Sequence, residues 1–99
     1  MTLDYLVFDF TEDTEGIGTF EAMASTAPAD AAHVEAEIAQ VLAWAEAVFP
    51  DGRGALSDGA EWDFDLQQPD EGAARRTFVV SISGTAGFCE ALREQFELD

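Results

Sequence analysis

Between Glu61 and Gln67 apolar and acidic side chains alternate without a break, Trp62, Phe64 and Leu66 against Glu61, Asp63 and Asp65. A period of two marks a β-strand, because successive side chains leave the pleated backbone on opposite sides. One set apolar and the other charged means a sheet with one buried and one wet face. Such a sheet needs partner strands and an apolar cover, and the remaining sequence supplies both.

Thr2 to Phe10 reads as a first strand, with Leu6, Phe8 and Phe10 on one face and Tyr5, Val7 and Asp9 on the other. Thr11 to Gly18 is polar and glycine-containing, the composition of a hairpin loop. Thr19 to Ser25 is the second strand, turning Phe20, Ala22 and Ala24 to one face. Thr77 to Ser83 is the fourth, with Phe78, Val80 and Ile82 inward. Pro28 and Asp30 suit a helix start, where free N–H groups need no partner on proline and favour a carboxylate. From there to Phe49 the residues Val34, Ile38, Val41, Leu42, Ala45, Val48 and Phe49 form one apolar stripe at helical spacing. Ala36, Ala39, Ala43 and Ala47 fill the far side with strong helix formers. Pro50, Gly52 and Gly54 end this helix and open a loop to about residue 60. Gln68 to Ala74 is a further loop, and Gly84 and Thr85 lead into a short helix carrying Phe88, Leu92 and Phe96.

The order β-β-α-β-β-α follows, with a pseudo-repeat of hairpin and helix in which Val7-Phe8-Asp9-Phe10 parallels Asp63-Phe64-Asp65-Leu66 and Thr19-Phe20 parallels Thr77-Phe78. Neither hairpin is stable alone. Together they predict an α+β fold: a four-stranded, mostly antiparallel sheet with both helices on its apolar face. The length of 99 residues fits a single α+β domain over 1–99. The expected core sets Leu6, Phe8, Phe10, Phe20, Trp62, Phe64, Leu66, Phe78, Val80 and Ile82 against Val34, Ile38, Leu42, Phe88, Leu92 and Phe96.

Charge narrows the function. The chain has 21 Asp and Glu against 4 Arg and no Lys, a net charge of −17. Direct nucleic-acid binding displaces counterions with Lys and Arg, and Arg53, Arg75, Arg76 and Arg93 are too few for it. The same field repels anionic lipid. No apolar run approaches the ~20 residues of a membrane span, and the N-terminus lacks the basic-apolar pattern of a signal peptide, so a cytoplasmic location is expected. The acidity fits solubility or adaptation to salt, a basic protein partner, or divalent cations.

Catalytic groups are scarce. His33 is the only histidine, with Glu37 one turn on placed to hold its ring. Cys89 follows a glycine-rich helix start, where a thiol can be activated, yet a buried structural cysteine is the simpler reading. Asp63 and Asp65 share a strand face, and Asp9 joins them if the first and third strands are neighbours. An exposed acidic face explains these residues more simply than a cation site. Gly16-Ile17-Gly18 lacks the third glycine and the Lys-Ser/Thr of a phosphate loop. Arg75-Arg76 reads as local charge balance, with an anion contact as its rival, and Trp44 as a cover for the core edge or an interface anchor. No cofactor, metal centre or catalytic set is expected.

The helix-free face should carry Tyr5, Val7, Asp9, Glu21, Met23, Glu61, Asp63, Asp65, Thr77, Val79 and Ser81. The expected function is a small non-catalytic protein-interaction domain, an inhibitor, immunity-type factor or adaptor for a basic protein partner. Asp9, Glu61, Asp63, Asp65, Tyr5, Val7, Met23 and Val79 would form its interface. Two alternatives stand beside it: a ligand-binding domain or enzyme with its site between the sheet and the 50–60 loop, and a structural homodimer joined by the open face or a strand edge.

Overall fold

A computed structural model describes residues 3–69 and 75–98. Thr2 and residues 70–74 of the expected second loop therefore lie outside the described residues. The strands are β1 (Asp9–Glu12), β2 (Gly18–Thr26), β3 (Trp62–Gln67) and β4 (Arg76–Gly84), and the helices are α1 (Ala31–Val48) and α2 (Ala86–Phe96). All neighbours pair antiparallel in the order β1-β2-β4-β3. This is the predicted α+β arrangement. The two hairpins meet along their second strands, β2 and β4, which leaves β1 and β3 as the opposite edges.

The inward set is the one the alternation predicts. Phe20, Ala22, Ala24, Trp62, Phe78, Val80 and Ile82 are buried under the helices. Ala22 and Ala24 are small, and Val34, Ile38 and Ala31 of α1 pack closely over them with Leu6 and Phe78. Larger side chains fill the α2 end, where Phe88, Leu92 and Phe96 meet Phe20, Trp62 and Ile82. The Trp62 ring stacks on Phe88 with centroids 5.7 Å apart, and its Nε1–H donates to the Phe49 carbonyl at 3.2 Å. Trp44 belongs to the core edge, within 5.7–6.2 Å of the Phe49, Phe88 and Phe96 rings.

Paired glycines seat α2. Gly18 of β2 lies opposite Gly84 of β4 at the end of the central ladder. A β-carbon on Gly84 would meet the Phe88 ring, and one on Gly18 would lie 2.7 Å from the Cys89 sulfur. The helix start is fixed by Thr85, whose hydroxyl accepts the Phe88 N–H at 3.4 Å, an N-cap that satisfies one free amide.

Four expectations change. The first strand is shorter than Thr2 to Phe10, beginning only at Asp9, because the Glu37 carboxylate draws the preceding backbone toward α1. It accepts from the N–H groups of Asp4 at 2.7 Å, Tyr5 at 3.0 Å and Leu6 at 3.0 Å. These amides are satisfied by a side chain and not by a ladder. Second, Glu37 is thereby a buried anchor for this segment, while His33 stacks on Tyr5 with planes 6° apart. Third, Val48 is 51% exposed, and Phe49 just beyond the helix folds against Phe88 at 5.2 Å. Fourth, the pseudo-repeat is shifted within its strands. Phe10 pairs with Phe20, whereas Leu66 pairs with Val80, two residues beyond Phe78. A shift of two keeps every side chain on its face, so the inward and outward sets survive it.

Candidate interaction face

The ladder registers turn the outward residues of four strands into rows across the helix-free face. One row runs Asp9, Glu21, Ser81, Asp65 from edge to edge. The next toward the hairpin loop runs Thr11, Thr19, Ser83, Asp63, and its central hydroxyls, of Thr19 and Ser83, lie 2.9 Å apart. On the other side of the acidic row, Met23 pairs with Val79 and Val79 with Gln67. Adjacent strands are about 4.8 Å apart, so Asp9 and Asp65 are separated by about 14 Å.

The condition under which Asp9 would join Asp63 and Asp65 through adjacent strands is therefore not met: β1 and β3 are opposite edges. What joins Asp9 to Asp65 is the shared row, through Glu21 and Ser81. Glu21 enters the site on this ground. Its signal in the sequence is the alternation Phe20, Ala22, Ala24 against Glu21 and Met23. Asp9 and Glu21 stand directly opposite each other, a placement of like charges that costs stability. Among the described residues ion pairs join Arg53 to Glu46 and Asp63, and Arg76 to Glu35. None reaches Asp9, Glu21 or Asp65.

The expected interface residues divide. Asp9 and Asp65 are exposed, Met23 is 70% exposed, Val79 beside it is half-buried, and Val7 is 76% exposed ahead of β1. Asp63 is half-buried, with Arg53 3.9 Å away. Two residues leave the face. Tyr5 turns with the Glu37-bound backbone onto His33 of α1. Glu61 precedes β3, and its carboxylate lies against Gly52 in the loop after α1. Thr77 is on the open side but buried, with its hydroxyl 3.2 Å from that of Ser25. Arg75 lies across the same serine, donating to its carbonyl at 2.6 Å.

The remaining chemical candidates have structural partners. The Asp13 carboxylate accepts the Glu15 and Ile17 N–H groups at 2.8 and 2.9 Å, filling the turn that an anion would need. Burial pushes the Cys89 thiol up, outweighing the backbone at Gly18 and the charge of Arg93, which pull it down. Cys89 Sγ–H points at the Gly84 carbonyl, 3.5 Å away. A crevice of about 420 Å³ does lie beside the 50–60 loop, between Phe49, Asp51, Gly52 and Glu61. His33 is remote from it, on the first turn of α1. Among the described residues no group of three His, Cys, Asp or Glu side chains is arranged to hold a metal ion, and no helix is long and apolar enough to cross a membrane.

Comparison with protein families, curated proteins and solved structures finds no match to this chain.

Proposed function

We propose that this chain is a non-catalytic cytoplasmic interaction domain, an inhibitor, immunity-type factor or adaptor that binds a basic protein partner through the open face of its sheet. The observation that carries this reading is the row Asp9, Glu21, Asp65 beside exposed Met23 and half-buried Val79. An apolar contact flanked by charge is the anatomy of a protein interface, whose core excludes water while its rim stays polar. Carboxylates held on strands present a fixed pattern, which steers a basic partner and selects its orientation. The like-charge pair of Asp9 and Glu21 supports the reading further, since a sheet selected for stability alone has no use for it.

The test is recovery of partners on the immobilised chain at low salt. A basic protein should be retained by the native chain, released by salt, and lost with the triple variant Asp9→Asn, Glu21→Gln, Asp65→Asn. A double variant at Glu12 and Asp13, in and beside the hairpin loop, should retain it. Equal loss from both variants would reduce the interaction to general attraction by net charge.

A further inference from the structure

We infer that the free edge of β3 takes up an extended segment of the partner as a fifth strand, one in which apolar residues alternate with Lys or Arg. This inference rests on the reading of the chain as a binder of basic protein, and it names the recognised element.

The chain itself begins such a strand. The Trp62 N–H donates to the Gly52 carbonyl at 3.1 Å, and Gly54 N–H donates to the Trp62 carbonyl at 3.0 Å. Arg53 thus makes a parallel bridge to Trp62 outside the four-stranded sheet. Beyond Gly54 the loop departs toward the hairpin, where Leu56 lies near Asp13 and Ile17. Among the described residues no other segment besides β4 pairs with β3, and the rest of it is left as an edge.

Backbone groups alternate in direction along a strand. Those of Trp62 point away from β4, so those of Phe64 and Leu66 do as well. The Phe64 N–H is taken by the adjacent Asp63 carboxylate at 2.9 Å. The Phe64 carbonyl and both backbone groups of Leu66 remain directed outward, where the ladder to β4 does not use them.

The two sides of this edge differ in chemistry. On the helix side a groove of about 330 Å³ runs between α1 and β3, with Ile38, Ala39, Leu42, Phe64 and Leu66 along it. Glu35 stands at this groove and is paired with Arg76 at 3.4 Å. On the other side are Asp63 and the exposed Asp65. Residues opposite each other in a ladder share a face. An added strand would therefore send the side chains opposite Phe64 and Leu66 into the apolar groove, and that opposite Asp65 toward carboxylates. Strand addition draws its affinity from main-chain bonds and its specificity from such alternate pockets. A second copy is a poor occupant. Joining two β3 edges would bring the Asp63 and Asp65 carboxylates of two chains, each of net charge −17, together.

The experiment titrates the whole chain, isotope-labelled, with a capped peptide of alternating Lys and Val at low salt, and follows amide hydrogen exchange by NMR. With peptide at roughly ten times Kd, exchange of the Leu66 amide should slow about tenfold. A peptide of equal charge with a central proline, which cannot continue a ladder, should give no such protection. Leu66→Arg should abolish the effect by blocking the groove, and Asp65→Asn, which leaves the core untouched, should weaken binding several-fold. If both peptides bind alike, shifting Met23 and Val79 with Leu66 unprotected, strand addition is wrong while the open-face reading stands. Leu66 protection that grows with protein concentration in the absence of peptide would identify a second copy as the occupant and overturn the proposal. The absence of any perturbation by the Lys-Val peptide would also overturn it, leaving the open-face reading to partner recovery.

Discussion

The Glu37 carboxylate accepts the Leu6 amide proton at 3.0 Å, across 31 residues of sequence. It also holds the amides of Asp4 and Tyr5, so one helical side chain satisfies three successive backbone donors that have no ladder partner. Hydrogen bonds to a charged group contribute about 1.5–3 kcal/mol each and do not add simply. Glu37→Ala should cost about 3 kcal/mol in urea unfolding, with the Leu6 amide losing its exchange protection first. Glu37→Gln keeps an acceptor and should cost less. Equal stability for native chain and Glu37→Ala would show that the segment is held by Leu6 packing alone.

Glycine substitutions should separate by position. Gly84→Ala drives a β-carbon into the Phe88 ring, while Gly87 in the first turn of α2 has open space around it. Overpacking a filled site costs typically 1–3 kcal/mol, and replacing an unstrained helical glycine by alanine gains about 0.4–1 kcal/mol. Thermal unfolding should therefore fall for Gly84→Ala and rise for Gly87→Ala.

The sequence carried the face of each strand residue because alternation is local and backbone geometry enforces it. Phe20, Trp62, Phe78, Val80 and Ile82 are all buried as their parity requires. Glu37 was not legible in the same way. A carboxylate between Val34 and Ile38 interrupts an apolar stripe, but its partners lie more than 30 residues away, and no local pattern names them. Strand order is non-local as well. Parity placed Asp9 and Asp65 on one face, yet only the ladders show that Glu21 and Ser81 stand between them.

Edge position sets the depth of Phe64. It points inward, but β3 lies at the sheet edge and the α1 groove leaves Phe64 half-buried. Phe20, on a central strand, is fully buried. Phe20→Ala should cost about 3–5 kcal/mol, as for a filled core site. Phe64→Ala should cost clearly less than this. Comparable losses in denaturant midpoint would mean that the groove closes over Phe64 in solution.

The buried Cys89 thiol makes stability fall on the alkaline side. Its folded pKa is raised, chiefly by desolvation, so the native state holds the proton more tightly than the unfolded chain does. The stabilisation is fully present below the unfolded thiol pKa and is lost as pH rises through the folded value. Stability measured through this alkaline range should decline less for Cys89→Ala than for the native chain. Thiol labelling of the native protein should be slow and should accelerate on adding denaturant. Rapid labelling without denaturant would show an accessible thiolate.

The acidic row should trade stability for binding. Asp9 and Glu21 face each other across β1 and β2 without an ion pair to either among the described residues. Like charges opposite each other destabilise a sheet by roughly 0.2–1 kcal/mol, and the net charge of −17 adds a diffuse self-repulsion. Salt should raise the melting temperature of the native chain, most steeply before the Debye length contracts to about 3 Å near 1 M. Glu21→Gln should be more stable than the native chain at low salt, with the gain shrinking as salt rises. The same substitution should weaken capture of a basic partner and flatten its salt dependence, because it removes the central carboxylate of the row. A variant that gains stability and binds unchanged would separate the row from recognition. One that loses stability at low salt would show that Glu21 is held by favourable contacts stronger than its repulsion from Asp9.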